Sequence, residues 1–198
     1  MPPLLRESLD ADPIEQFRHW FELAEREVPL AEAMSLATVG PGGAPNARMV
    51  LLKGFDAEGF RFFSNYDSAK GEELRARPAA ALVFYWRELD RQVRIRGRVG
   101  ALSGPESDTY FATRPRDSQI AAAASPQSRP VEREELDRRY ERAAAELEGT
   151  EVPRPAHWGG YLLAPETIEF WQGREGRMHD RFLYTREREG WRIERLAP

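Results

Sequence analysis

Apolar and polar positions alternate along this chain in two rhythms, one helical and one of period two. Ile14, Phe17, Trp20, Phe21 and Ala24 recur at helical spacing behind Asp12-Pro13, an N-cap followed by proline at the first helical position. They predict an amphipathic helix with His19 off its apolar face. The shorter period then takes over, with strands predicted over 33–39, 46–55 and 60–64 and turns at 40–43 and 56–59. Ser68 or Asp67 caps a short helix containing Lys70, Glu72, Glu73 and Leu74, which stops before Pro78. Residues 79–86 and 92–101 form a hairpin around Arg87–Asp90. In its second strand Val93, Ile95, Gly97 and Val99 alternate with Gln92, Arg94, Arg96 and Arg98. One face is apolar and the other basic, either solvated or buried against a partner or an anionic cofactor.

Residues 105–113 read as a helix that puts Tyr110 and Arg114 on one side. Residues 114–130, with a four-alanine run inside, read as a loop rich in hydrogen-bonding groups. Residues 132–147 form a charged helix exposed on most sides, and 153–155 a linker. Strands at 158–163 and 191–196, with a hairpin of 167–171 and 181–184 around Gly173 and Gly176, complete about eight strands. If the second hairpin strand begins by Arg177, then Arg177, His179 and Arg181 share one face, with Trp171 across the turn. Such a row suits a flat, anionic, aromatic ligand. It equally describes a solvated, arginine-rich strand edge. Short strands with helices in insertions point to a mainly β, antiparallel barrel with helical decorations rather than βαβ repeats.

Composition narrows the chemistry. At 198 residues, 41% hydrophobic and 31% charged, the chain reads as globular, one domain or a compact pair, long enough for a real core. No apolar run approaches the ~18 residues of a membrane span. The start, Met-Pro-Pro-Leu-Leu-Arg-Glu-Ser, has no apolar signal core, so a cytoplasmic location and no membrane partner are expected. The absence of cysteine excludes disulfides and thiolate chemistry, and His19, His157 and His179 lack helical metal spacing, so no metal is expected. A net charge of −4 argues against bulk nucleic-acid binding. Of 29 basic residues only Lys53 and Lys70 are lysine. Either chance left them, or these positions need a compact ammonium of the kind that binds phosphate. Lys70, in the first turn of a helix, stands at a natural anion site. Neither nucleotide-binding glycine motif occurs, and no internal repeat is evident.

Several separated motifs carry a more specific signal. Arg48-Met-Val-Leu-Leu-Lys53, Ser68-Ala-Lys70, Arg91-Gln92-Val93, Arg114-Pro-Arg-Asp-Ser-Gln-Ile120, Gln127-Ser128, Trp158-Gly-Gly160, and Glu169-Phe-Trp-Gln-Gly173 followed by Arg177-Met-His-Asp-Arg181 occur in this order. Together, from the first helix to Pro198, they closely resemble the pyridoxamine 5′-phosphate oxidase family. The resemblance implies an FMN-binding split β-barrel acting as a homodimer, with the flavin held between subunits. Its parts would be an N-terminal helical segment (1–30), a first barrel half (31–103), a helical insertion (104–150) and C-terminal barrel strands (156–198). The implied activity is oxidation of pyridoxamine and pyridoxine 5′-phosphates to pyridoxal 5′-phosphate, with oxygen reduced to hydrogen peroxide.

The same resemblance implies residue roles. Arg48, Lys70, Gln127 and Ser128 would hold the FMN phosphate and its surroundings. Met49, Val50, Leu51, Leu52 and Lys53 would run along the flavin, with Phe63 and Ser64 beside it. Gln92 would bond the flavin ring, and Trp171 and Arg181 would approach from the other subunit. Lys53, Tyr110, Arg114 and Ser118 would clamp the substrate phosphate, with Arg177 and His179 covering its ring as the catalytic pair. There are departures. Ala69 stands where the family usually has arginine, so looser FMN binding is expected unless Arg75, Arg129 or another arginine substitutes. The usual tryptophan before Gln127-Ser128 is missing, and an N-terminal Arg-x-x-Tyr lid is absent or reduced. A phenazine-pathway flavin oxidase on the same barrel and a non-catalytic FMN or pyridoxal-phosphate carrier remain the alternatives.

Overall fold

The computed structural model describes residues 3–198, so Met1 and Pro2, where the leader reading began, lie outside it. Asp12 caps helix α1 (Pro13–Glu27) by accepting from the Ile14 amide, as its position before proline predicted. Strands β1 (Ala33–Val39), β2 (Pro45–Leu51), β3 (Gly54–Asp56) and β4 (Gly59–Asn65) follow, then helix α2 (Ala69–Ala76) capped by Ser68. Next come β5 (Ala79–Trp86), β6 (Arg91–Ala101), the helices α3 (Gly104–Ala112), α4 (Arg116–Ala124) and α5 (Arg133–Glu146), and strands β7 (Trp158–Gln172), β8 (Asp180–Arg186) and β9 (Trp191–Arg195). None of the described helices is long and apolar enough to cross a membrane.

All nine strands among the described residues belong to one antiparallel sheet, in the order β2-β1-β5-β6-β7-β4-β3, with β8 on β7 and β9 on β8. The path does not close, because β2 and β3 at its two ends are not paired with each other. This is the expected split barrel. The division falls on β7, whose first half pairs with β4 and whose second half pairs with β8, while β6 runs along its other edge. A register shift at Arg96/Gly97 bends the long pair at that point. Gly97 is required there, since a Cβ would lie 1.9 Å from the Ala164 carbonyl oxygen.

Period two decides which side chains go inward. Met34, Leu36, Leu82, Phe84, Val93, Ile95, Ile168, Phe170, Phe182 and Tyr184 fill the interior, and Phe17 of α1 is wedged among Phe55, Phe60 and Phe84. Residues opposite them on the same strands face outward, and Met49, Leu51 and Tyr85 leave a partly apolar outer surface. A smaller cluster of Phe111, Ile120, Val152 and Trp158 seats the helical insertion.

Four expectations change. The strand expected over 46–55 breaks after Leu51, because Leu52 turns into the core and Gly54 takes φ 158°. The strands expected at 158–163 and 167–171 are one, since Pro165 sits opposite Gly97 at the bulge. Residues 116–124, expected as loop, form α4, where the alanine run supplies helix propensity and Ile120 a buried anchor. Finally, β8 starts at Asp180, not Arg177. Gly176 and Arg177 both have left-handed backbone (φ 64° and 61°), so Arg177 and His179 lie in the turn rather than on a strand face with Arg181.

Candidate functional site

A cleft of about 480 Å³ opens between β2, β4 and the helical insertion. Met49, Val50, Leu51 and Lys53 line it from β2 and its end, Phe63 and Ser64 from β4, and Lys70 from α2. Tyr110 of α3, Arg114 and Ser118 around the start of α4, and Gln127 of the following loop complete most of the wall. Eleven of the predicted site residues therefore meet in one cavity although they span 79 positions (49 to 127) of the sequence. Thr113, Pro115 and Trp158 also line it, and were not expected to. Only the Trp158-Gly-Gly motif hinted at the last of these.

Of the three cations that line the cleft, Lys70 and Arg114 are the more enclosed. The Lys70 ammonium is buried and donates to Ser64 Oγ (3.0 Å), Ser68 Oγ (3.2 Å) and Gln127 Oε1 (2.9 Å), all neutral acceptors. Burial pushes it below the ordinary lysine range, with Arg48 adding to that effect and Glu73 opposing it. Glu73 is itself committed elsewhere, accepting from Asn46, Thr38 and Arg48. The guanidinium of Arg114 lies over Trp158, 4.6 Å from the ring centroid, and burial likewise pushes its pKa down. Its Nη1 is buried and has no hydrogen-bond partner among the described residues. A buried donor left unmatched costs about 1–3 kcal/mol, a cost that an anionic ligand reaching Nη1 would relieve.

The surroundings are built to hold these groups. Phe63 stacks on Tyr110 (3.8 Å between centroids) and on Trp158 (5.6 Å). That stack needs Gly160, whose Cβ would lie 2.8 Å from Phe63 and 2.4 Å from Leu102. Burial raises the Tyr110 pKa against the opposing pull of Arg114, so the phenol remains a donor. Helix α4 begins at Pro115 without a side-chain cap, and Asp117 in its first turn faces the positive end of its dipole. A buried ammonium, a half-buried guanidinium and the neighbouring hydroxyls make a donor set suited to phosphoryl oxygens.

The remaining predicted residues lie elsewhere on this chain. Arg48 does not line the cleft; its guanidinium pairs with Glu73 (3.0 Å) and bonds Leu36 O and Thr38. Leu52 is in the core. Ser128, next to Gln127, has left-handed backbone at φ 68°. Gln92, Trp171 and Arg181 occupy one row across β6, β7 and β8. Arg181 pairs with Glu169 (2.8 Å), and the His179 ring lies 4.6 Å from that of Trp171. Of the arginines considered as substitutes beside Ala69, Arg75 bonds Tyr66 O and Asp67, while Arg129 pairs with Glu72. Glu73, which ties α2 to β1 and β2, was missed; its spacing of three from Lys70 was the available signal.

Comparison with known proteins follows the same outline. The family model described as "Pyridoxamine 5'-phosphate oxidase" matches residues 22–150, and "Pyridoxine 5'-phosphate oxidase C-terminal dimerisation region" matches 158–198. The pyridoxine/pyridoxamine 5'-phosphate oxidase of Rubrobacter xylanophilus is 56% identical over 197 residues, covering 98% of this chain and 91% of the relative. That of Paraburkholderia xenovorans is 54% identical over 194 residues, covering 96% and 91%. Among solved structures, PhzG from Burkholderia lata 383, in complex with tetrahydrophenazine-1-carboxylic acid, superposes with a TM-score of 0.92 at 30% identity, covering 98% of each chain. A pyridoxamine 5'-phosphate oxidase-related, FMN-binding protein from Nostoc punctiforme shares the fold, with a TM-score of 0.78 at 20% identity over 96% of this chain and 100% of that one. By sequence and by fold, the chain belongs to the pyridoxamine 5′-phosphate oxidase family.

Proposed function

We propose that this protein is an FMN-dependent oxidase that converts pyridoxamine and pyridoxine 5′-phosphates to pyridoxal 5′-phosphate, with oxygen reduced to hydrogen peroxide. The observation that carries the reading is two of the three cations that line one cleft: Lys70, which bonds neutral acceptors only, and Arg114, whose Nη1 has no partner among the described residues. A reaction between two phosphorylated aromatic molecules needs one anchor for each. Lys70, Ser64, Gln127 and the adjoining Ser128 would hold the FMN phosphate, with Arg48 behind them. Met49, Val50, Leu51, Lys53, Phe63 and Gln92 would border its ring. Lys53, Tyr110, Arg114 and Ser118 would take the substrate phosphate. FMN, when bound, supplies the two-electron acceptor for the hydride leaving the substrate carbon.

The protein's part is orientation. Anchoring the substrate by its remote phosphate fixes how the reacting carbon is presented, and the Phe63–Tyr110–Trp158 stack gives that grip a rigid wall. Homodimerisation completes the set. Exposed Met49, Leu51 and Tyr85 on the outer sheet face, together with a C-terminal segment matching a dimerisation region, support a second copy seated there. Trp171 and Arg181 of that copy would approach the flavin, and its Arg177 and His179 would cover the substrate ring.

The test is direct. Purified protein should be yellow and, in air, convert pyridoxamine 5′-phosphate to aldehyde with matching peroxide. The PhzG likeness supports a second reading, oxidation of a reduced phenazine carboxylate. We rank it second because the pyridoxine/pyridoxamine phosphate oxidases reach 56% identity against 30%, and a carboxylate ligand leaves the phosphoryl-suited donors under-used. Turnover on the reduced phenazine alone would reverse that order. Yellow protein with no turnover on either substrate would indicate a carrier.

A further inference from the structure

The turn between β7 and β8 fixes more than the position of His179. Within it, the consecutive left-handed residues Gly176 and Arg177 reverse the chain. The backbone N–H of Arg174 then donates to His179 Nδ1 at 3.2 Å. A backbone amide can only donate, so Nδ1 must hold a lone pair, and the single proton of the neutral ring sits on Nε2. Turning the ring over would set a C–H against the Arg174 amide in place of this hydrogen bond. Trp171 covers the imidazole, with ring centroids 4.6 Å apart and planes at 42°.

We propose that the Arg174 amide is a positioning group that locks His179 in its Nε2–H tautomer, so that His179 serves as a hydrogen-bond donor through Nε2 and not as a base. The inference rests on the oxidase reading for the nature of the acceptor, which is an oxygen atom of the bound substrate. A base at Nε2 would need that nitrogen bare and therefore a proton on Nδ1, facing the Arg174 N–H. Exchanging an accepted hydrogen bond for two opposed donors biases the ring by roughly tenfold or more toward the Nε2–H form. The chain thereby assigns His179 to holding: it contributes direction and takes up no proton from the substrate.

Two measurements test this. Long-range ¹H–¹⁵N correlation of the histidine rings in the FMN-loaded protein, at about pH 8.5 and so above the ordinary histidine range, reads the tautomer. The His179 signals are assigned by their loss in His179→Gln, and a pyridine-like Nδ1 with a pyrrole-like Nε2 is expected. The reverse pattern, or an even mixture, overturns the proposal. In turnover assays His179→Gln, whose amide N–H reaches the Nε2 position, should keep kcat/KM at least tenfold above His179→Asn, which reaches only Nδ1. Equal losses in both, or better activity in the asparagine variant, would also overturn it. Wild-type protein that shows the Nε2–H tautomer yet oxidises neither phosphate ester would instead refute the oxidase reading, leaving the lock by Arg174 intact.

Discussion

Replacing Lys70 with methionine should make the flavin-free protein no less stable while weakening its grip on FMN, two effects of opposite sign from one side chain. The ammonium is buried and has three neutral acceptors, so in the empty cleft its charge has lost water without gaining an anion. Methionine preserves much of the stem's volume, and each acceptor it abandons has a further partner or solvent: Ser64 Oγ donates to Gln127 Oε1, and Ser68 Oγ accepts from the Gly71 amide. With FMN present the balance reverses. A charge-assisted hydrogen bond to phosphate contributes about 1.5–3 kcal/mol, so Kd for FMN should rise by roughly one to two powers of ten. The pH dependence follows from the depressed pKa. Between the lowered folded value and the ordinary 10.5, the unfolded chain holds the proton more tightly, so stability of the flavin-free protein should rise as pH climbs through that window. The Lys70→Met protein should lack that alkaline increment. Flavin fluorescence titration gives Kd, and urea unfolding of the stripped protein gives stability at each pH. Unchanged FMN affinity, or a flavin-free variant several kcal/mol less stable than wild type, would refute the reasoning.

Arg114→Leu removes a group whose Nη1 has no bond to lose, so unfolding should change little; KM for pyridoxamine 5′-phosphate should rise roughly thirtyfold, for about 2 kcal/mol, with FMN content unaltered. Glu73→Gln strips the carboxylate from Arg48 in a mostly buried pair and should cost about 3 kcal/mol at pH 7 by urea unfolding. Burial alone would raise the Glu73 pKa, but bonds from Asn46, Thr38 and Arg48 outweigh it and lower the folded value. Its contribution is therefore present above the ordinary 4.5, and the gap to Glu73→Gln should shrink as pH falls through the folded pKa. Gly97→Ala, with a Cβ 1.9 Å from Ala164 O, should lose about 1–3 kcal/mol, whereas Gly100→Ala, with nothing within 4 Å, should match wild type in the same titration.

Where local chemistry settled an element, the sequence reading held. The Asp12-Pro13 start of α1, the Ser68 cap of α2 and the alternation along β6 all concern side chains acting on their own neighbourhood. Where a distant contact settled it, the reading failed. Pro165 looks like a turn until Gly97 is seen opposite it, giving the long strand a place to bend without losing its ladder. Met49 to Phe55 look like one strand because nothing local shows that Leu52 must enter the core. Residues 114–120 look irregular because Pro115, Asp117 and Ser118 are turn formers, and it is the packing of Ile120 against the insertion's own core, with the alanines that follow, that favours a helix. The cleft is the extreme case. No spacing rule links Lys53, Lys70 and Arg114, and it was the order of the motifs, through family resemblance, that grouped them before the fold did.

The choice between lysine and arginine finds a physical answer in the ion pairs. Arginines of the barrel are largely matched by carboxylates of the same chain: Arg48 by Glu73, Arg94 and Arg181 by Glu169, Arg61 by Asp56 and Glu58. Neither lysine forms an ion pair among the described residues, and both line the cleft. A planar guanidinium suits permanent pairing with a carboxylate, because its fork satisfies both oxygens at once. A site meant to exchange ligands needs positive charge that the protein has not already neutralised. Glu169 shows the other side of this division: buried beneath Arg94 and Arg181, it leaves the outer row of Gln92, Trp171 and Arg181 polar but nearly balanced in charge. Such a row fits the edge of a ring system better than a dianion. The distribution of charge thus favours phosphates deep in the cleft, at Lys70 and Arg114, and flat aromatic surface toward the outer sheet, where a second copy would close over it.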